Sequence, residues 1–589
     1  MLIDYRRDNY LSEFSHKTLQ DRYLVDGESS PQEAFGRAAK AFSDNEAHAQ
    51  RLYDYASKLW FMFSTPILSN GGTTRGLPIS CFLNYVEDSR EGITGHYTEN
   101  AFLSSVGGGV GGSWSAIRSV GAKTSSGSES TGVIPFMKVV DAEMLAFSQG
   151  VTRRGSYAAY LDISHPEIEE FLDVRKPTGG DVNRKSVNLH HGVVVSDEFM
   201  ALIEGATREE GFDDSWDLID PHTQKVTKTV SAKTLWVKLI QNRVETGEPY
   251  IMFGDTVQAG LPLCQAEKGF KVNHSNLCSE ITLATDAMRT AVCCLSSVNL
   301  EEYDEWKEHK DFIPDLIRML DNVISYFVEN APNTLSKAKF SAEMERSLGL
   351  GAMGFHAYLQ RHNIPFESPM AKGTNLKMFK HIKSEALNAT KTLAMERGEA
   401  PDAVGYGVRN VHLLAVAPNA SSSIICGNTS PSIEPYRANA FTQKTKSGSS
   451  LLKNEYLEYA LQELDQDTNE VWKSIITNNG SVQHLDFLDE WTKDVFKTAV
   501  ELDQRWIIEM AADRQEEICQ SQSLNIFFPA NVSKQELHAI HMMAWKKKVK
   551  TLYYLRSEAI KRAETVSDEA LRQYIFESID DEGCLACEG

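Results

Sequence analysis

The stretch Asn276-Leu277-Cys278-Ser279-Glu280 constrains this chain more than any other. It sets an amide, a thiol and a carboxyl at alternating positions. In an extended or looped backbone, residues i, i+2 and i+4 face the same way. A sulfur is then flanked on one face by a hydrogen-bonding amide and a proton acceptor. Taken alone, the pentapeptide fits a buried structural cysteine equally well, because free cysteine is among the most buried residue types. The other cysteines shift that balance. Cys81 lies far upstream in Leu77-Pro-Ile-Ser-Cys-Phe, and Cys293 lies just downstream in Thr290-Ala-Val-Cys-Cys-Leu-Ser-Ser. Cys584-Leu-Ala-Cys587 stands two residues from the last one. A C-x-x-C pair placed there has no core to staple and reads as a mobile dithiol that carries reducing equivalents. One isolated thiol, two candidate redox thiols and a swinging dithiol form a coherent set.

Composition narrows the class. With 60 basic and 81 acidic residues the formal charge is −21, which argues against a nucleic-acid groove as the main purpose. Nine cysteines in 589 residues do not make a secreted disulfide scaffold. The opening Met1-Leu-Ile-Asp-Tyr-Arg-Arg-Asp is charged at once, unlike a signal peptide, and no run of eighteen apolar residues follows. The expectation is a cytoplasmic enzyme with no membrane or nucleic-acid partner. Its length suits a large α/β domain with a helical appendage, or several smaller domains.

Residues 1–60 read as helical. Ser30-Pro31-Gln32-Glu33 predicts a capping box with proline at the first helical position. Phe35, Ala38, Ala39 and Phe42, then Leu52, Tyr55, Ala56 and Leu59, fall at helical spacing. From Phe61 onward, short apolar runs alternate with glycine-rich turns and helical segments, which predicts an α/β domain. Val106-Gly-Gly-Gly-Val-Gly-Gly allows backbone to approach a ligand closely, but its spacing is not that of a dinucleotide fingerprint. Two polar, basic, glycine-containing loops, 148–157 and 176–186, suit nucleotide phosphates and bases, although many solvated loops look similar. Ala417-Pro-Asn-Ala-Ser-Ser-Ser follows an apolar run and reads as an anion site at a strand-to-helix turn. Tyr553-Tyr554 in a β-rich stretch would ordinarily be one core ring and one surface ring.

The chain resembles the large, catalytic subunit of class I ribonucleotide reductase from about Thr65 to Gly589. The resemblance rests on the joint order of several motifs: STP at Thr65, ISC at Cys81, NLCSE, AVC at Cys293, GLGAMGF from Gly349, APNASSS from Ala417, SQSLN from Ser521, LYYLRS from Leu552 and the cysteine tail. It implies a ten-stranded α/β barrel of two five-stranded parallel halves with a central finger loop. The expected domains are an N-terminal helical region (1–60), the barrel (61–574) and a flexible redox tail (575–589). Cys278 would carry a thiyl radical, Glu280 would act as general base and Asn276 would orient the sugar. Cys81 and Cys293 would become a disulfide, Cys584 and Cys587 would reduce it, and Cys294 would be a packing residue. Tyr553 and Tyr554 would relay the radical as a contacting pair, which requires a local break from strand geometry. Thr65, Ser80, Gly109, Ala420, Ser421 and Ser422 would join Asn276 in holding the substrate. Asp88, Arg118, Arg153 and Arg154 would hold a dNTP or ATP effector.

The resemblance further implies that no cofactor resides in this chain and that a metal-containing small subunit supplies the radical. Thioredoxin or glutaredoxin would regenerate the tail, and a homodimer is allowed. Too few residues precede Thr65 for the family's N-terminal activity domain, so dATP is expected to tune substrate choice without shutting the enzyme off. The alternative is an adenosylcobalamin-dependent class II reductase, which would not need the tyrosine pair. A degenerate nucleotide-binding regulatory subunit is the non-enzyme alternative, and the full set of thiols speaks against it.

Overall fold

The computed structural model describes residues 1–147, 155–177, 179–445 and 448–557. Arg153 and Arg154 of the first basic loop, and both tail cysteines, Cys584 and Cys587, lie outside these residues. Helices Glu13–Arg22, Pro31–Ala41 and Glu46–Ser57 open the chain. Both arms of the capping box between Ser30 and Glu33 are made, and Pro31 takes the first turn, where no N–H is needed. Phe35, Ala38, Leu52 and Ala56 are fully buried on the faces these helices turn inward. Among the described residues no helix is long and apolar enough to cross a membrane.

The rest is organised around a closed barrel. Its first half is five parallel strands: β2 (Cys81–Tyr85), β3 (Gly109–Ser113), β4 (Ser156–Asp162), β5 (His190–Val195) and β6 (Tyr250–Phe253), following a short outer strand β1 (Phe61–Phe63). Most of their residues are buried, because one face meets the barrel interior and the other meets helices. The second half starts with β7 (Ala291–Asn299) parallel to β8 (Leu348–Met353). Backbone hydrogen bonds then carry the ladder through 412–416, as in Leu350 N–H to Leu413 O at 2.9 Å, and on to 521–523, as in Val416 N–H to Ser521 O at 3.0 Å. It finishes with β9 (Ile526–Phe528) parallel to β11 (Leu555–Ser557). Two antiparallel seams join the halves, β2 on β7 and β6 on β10 (Thr551–Leu552). With 521–528 and 551–557 each taken as one interrupted strand, ten segments close the ring among the described residues.

The second half is less regular because side chains take places in its ladder. Cys519 Sγ accepts the Leu413 and Leu414 N–H groups at 3.1 and 3.3 Å, and the Gln520 amide donates to Leu348 O at 2.9 Å.

The segment between β6 and β7 enters the barrel, and residues 274–284 are all buried. It touches both halves. His274 Nε2 lies 3.0 Å from Gly111 O on β3, and Ser521 N–H donates to Glu280 O at 2.9 Å. Gly111 makes the approach feasible: a β-carbon there would stand 2.2 Å from Ser275 O and 2.8 Å from Asn276 Cα. Gly111→Ala should therefore push the loop off β3. The expected result is a stability loss of about 3 kcal/mol, together with a turnover loss of at least about tenfold from misplaced reacting groups. Thermal unfolding and turnover measured together check this; wild-type values for both would contradict the packing.

Candidate active site

The loop presents its chemistry through a turn and not through strand alternation. Ser279 has a positive φ of 66°, and Ser279 N–H closes back on Asn276 O at 3.3 Å. The Asn276 side chain then spans the turn: its Oδ1 accepts from Ile281 N–H at 3.1 Å and from Ser275 Oγ at 3.3 Å. Asn276 Nδ2 points at Cys81 Sγ, 3.7 Å away. The turn is fixed from outside by three hydroxyls. Tyr160 donates to Asn276 O at 2.8 Å, Thr551 to Ser279 O at 2.8 Å and Ser523 to Cys278 O at 2.6 Å.

Glu280 is fully buried and has one polar contact to spare. Its Oε2 lies 3.1 Å from Ser523 Oγ, whereas Oε1 has no hydrogen-bond partner. Burial pushes its carboxyl up to about 7, against the smaller opposing pull of local donors. A carboxyl poised there takes a proton well near neutral pH. As a general base it must be ionised, so kcat/KM should rise with pH through about 7. Stability runs the other way. The folded chain binds more protons than the unfolded chain between the ordinary carboxylate range and pH 7, so stability present at low pH is lost as pH rises through 7. Glu280→Gln should remove both dependences, and pH profiles of turnover and of thermal unfolding check this. A flat wild-type profile between pH 6 and 8 would contradict the shift.

Cys81 and Cys293 are direct cross-strand partners on the β2–β7 seam, and both are buried and reduced. Paired residues of antiparallel strands have Cα atoms about 4.5–5.5 Å apart, within the span of a disulfide. Gln520 Nε2 donates to Cys293 Sγ at 3.5 Å, and burial holds that thiol well above the usual cysteine range. Cys294 faces the other way, its thiol 3.5 Å from Leu320 O in the helix behind the sheet, as expected of a packing residue.

The two tyrosines meet inside the barrel wall. Tyr553 Oη is 3.6 Å from Cys278 Sγ, and the rings of Tyr553 and Tyr554 have centroids 4.2 Å apart at 51°. Neighbours on a regular strand would face opposite ways. Here regular pairing stops between β10 and β11, and Tyr554 N–H bonds to Asn525 Oδ1 at 3.0 Å instead of a backbone carbonyl. A third ring, Tyr250, lies 4.8 Å from Tyr553 and 5.1 Å from Tyr554. Sequence reasoning missed Tyr250, along with Tyr160, Ser523 and Gln520. Each is a single residue on a strand or strand edge, with no local signal to separate it from core packing; only Ser523 fell inside a quoted motif.

The remaining predicted contacts sit around this centre. Thr65 and Ala420 each begin a short helix, Thr65–Asn70 and Ala420–Ile425, and neither helix has a side-chain cap. Their first N–H groups lack intrahelical acceptors, as an anion site requires. Ser421 and Ser422 are buried, while Ala420 is exposed. Ser80 Oγ lies 3.6 Å from Cys81 Sγ, and Gly109 pairs with Cys81 on the next strand. Further out, Asp88 and Arg118 hold each other at 2.9 Å, with His222 3.4 Å from the same carboxylate. In the second basic loop, Lys176 is tied to Glu245 and Arg184 to Glu170.

Comparison with known proteins agrees with this geometry. Residues 79–405 and 400–555 match the family model described as the ribonucleotide reductase barrel domain, and residues 10–76 match the ribonucleotide reductase all-alpha domain. The ribonucleoside-diphosphate reductase large subunit of Invertebrate iridescent virus 3 is 43% identical over 100% of both chains. That of Caenorhabditis elegans is 31% identical over 100% of this chain and 82% of its own. The solved Actinobacillus ureae class Id ribonucleotide reductase alpha subunit is 35% identical with a TM-score of 0.82, covering 95% of this chain and 98% of that one. A barrel that brings one thiol to a tyrosine pair and two more to a shared seam, in a chain alike from end to end, belongs to the ribonucleotide reductase large-subunit family.

Proposed function

We propose that the chain is the catalytic subunit of a ribonucleoside-diphosphate reductase that makes 2′-deoxyribonucleotides by thiyl-radical chemistry. The observation that carries this reading is the 3.6 Å contact between Tyr553 Oη and Cys278 Sγ, with the Tyr554 ring behind it. At that distance a hydrogen atom passes directly: a Tyr553 phenoxyl radical takes the Cys278 thiol hydrogen, leaving a phenol and a thiyl. The thiyl then takes the substrate 3′ hydrogen. Glu280 accepts the 3′-hydroxyl proton, and the 2′-hydroxyl leaves as water with a proton from the dithiol. Cys81 and Cys293 give up two electrons and become a disulfide, their second hydrogen going to C2′; Glu280 returns its proton to the 3′ oxygen, and Cys278 returns its hydrogen to C3′. The balance is one ribonucleotide and one dithiol in, one deoxyribonucleotide, one disulfide and one water out.

In this reading the chain comprises a helical region (1–60), the barrel (61–574) and a redox tail (575–589). A metal-carrying small subunit supplies the radical, and thioredoxin or glutaredoxin restores the tail in the cytosol. A dNTP or ATP effector is held by Asp88, Arg118, Arg153 and Arg154. Phe102, Val139, Leu145 and Phe147, all exposed on helices Arg90–Ser105 and Ile134–Ala146 or just beyond, suit a homodimer face. The reading is tested by replacing Cys584 and Cys587 together with serine. With thioredoxin as reductant, the double variant should make about one deoxynucleotide per chain and stop, because the buried Cys81–Cys293 disulfide is out of reach of a folded protein. A small dithiol should restore cycling. Normal cycling with thioredoxin alone would rule out the tail as shuttle.

A further inference from the structure

Tyr554 does not end the line of contacts that starts at Cys278. Its hydroxyl lies 3.3 Å from His190 Nδ1, and the two rings stand nearly perpendicular, at 79°. The same nitrogen is 2.6 Å from Glu248 Oε1, and its single hydrogen is shared between that carboxylate and the Tyr554 oxygen in a three-centre bond. Glu248 Oε2 accepts from the His191 N–H at 3.0 Å, and the Arg175 guanidinium bonds Oε1. Burial alone would raise this carboxyl, but Arg175 and His190 outweigh it and hold it well below the usual carboxylate range. Arg556 covers the Tyr554 ring, its guanidinium carbon 4.1 Å from the centroid.

The arrangement is costly unless it holds something in place, because a carboxylate taken fully out of water needs every partner it has. What it holds is the one nitrogen that meets the Tyr554 oxygen. The cluster is also where the line reaches the outside: the side chains of His190 and Arg175 are 11% and 20% exposed, whereas Tyr553 and Cys278 are sealed inside. We propose that His190, braced by Glu248 and Arg175, is a positioning residue that fixes the Tyr554 hydroxyl at the outer end of the tyrosine pair, where the small subunit hands over the radical. The proposal rests on the relay reading of Tyr553 and Tyr554. It assigns His190 no contact with substrate and no electron of its own.

The test uses the full chain with its small subunit, substrate and effector. Tyr554 is replaced by 3-aminotyrosine, a more easily oxidised analogue that traps the radical, and the trapped radical is read by high-field electron paramagnetic resonance. The gx value of such a radical rises when a hydrogen bond to its oxygen is lost. His190→Phe should raise gx, and in the otherwise unaltered chain it should lower turnover about tenfold, the worth of one lost positioning hydrogen bond. Substrate and effector binding should stay unchanged. His190→Gln, which keeps a donor near the same place, should recover part of both effects and guards against a folding defect in the phenylalanine variant. A radical trapped at position 554 with gx unmoved by His190→Phe would overturn the positioning role alone. No trapped radical at 554 in a chain that keeps His190 would overturn the relay itself, and the positioning role with it.

Discussion

Cys278→Ser should reduce turnover to background, a loss on the order of 10⁴-fold or more, while nucleotide binding stays near wild type. Serine is close to isosteric, and the turn that carries residue 278 does not depend on the thiol. Its backbone is held by Ser523, Thr551, Tyr160 and the Asn276 side chain. What disappears is the S–H bond, weak enough for a tyrosyl radical to break; an alcohol O–H is not. Equilibrium binding of substrate and effector, measured beside steady-state product formation, separates the two effects. Residual turnover above background would remove Cys278 from its role.

Tyr553→Phe and Tyr554→Phe should each stop turnover supported by the small subunit and leave the fold intact. Each change deletes one phenol oxygen at a stability cost on the order of 1 kcal/mol. The rings remain, and so does their packing on Tyr250. Neither variant removes a group from the substrate pocket, so nucleotide affinity should be unchanged. Thermal unfolding and product formation, measured on the same preparations, decide the matter. Full activity in both variants would show that the radical reaches Cys278 by another route.

Much of this site was legible as sequence because its chemistry is local. Asn276, Cys278 and Glu280 lie within five residues, and hydrogen bonds inside that stretch shape the turn. Of the extended or looped backbone that the spacing allowed, the loop is the one found, and the left-handed Ser279 and the Asn276–Ile281 bond set the directions. The Cys81–Cys293 pairing could come only from resemblance, because 212 residues separate partners that one antiparallel seam makes neighbours. His190, Glu248 and Tyr250 stayed hidden for the same reason: β5 and β6 are adjacent in the barrel but 55 residues apart in sequence, and each residue alone looks like core. The alternation of strands and helices from Phe61 onward was readable, but its closure into a barrel was not, in part because Cys519 and Gln520 supply ladder bonds that strand periodicity does not register.

In the proposed function this chain receives its radical from a protein partner through Tyr554 and Tyr553. The most direct measurement is nucleoside-diphosphate reduction under three conditions: the chain alone, the chain with adenosylcobalamin, and the chain with a metal-carrying small subunit, each with effector and a small dithiol. Product is expected only with the small subunit, and none from that mixture when Tyr553 is phenylalanine. Product formation with adenosylcobalamin alone, undiminished by Tyr553→Phe, would contradict it.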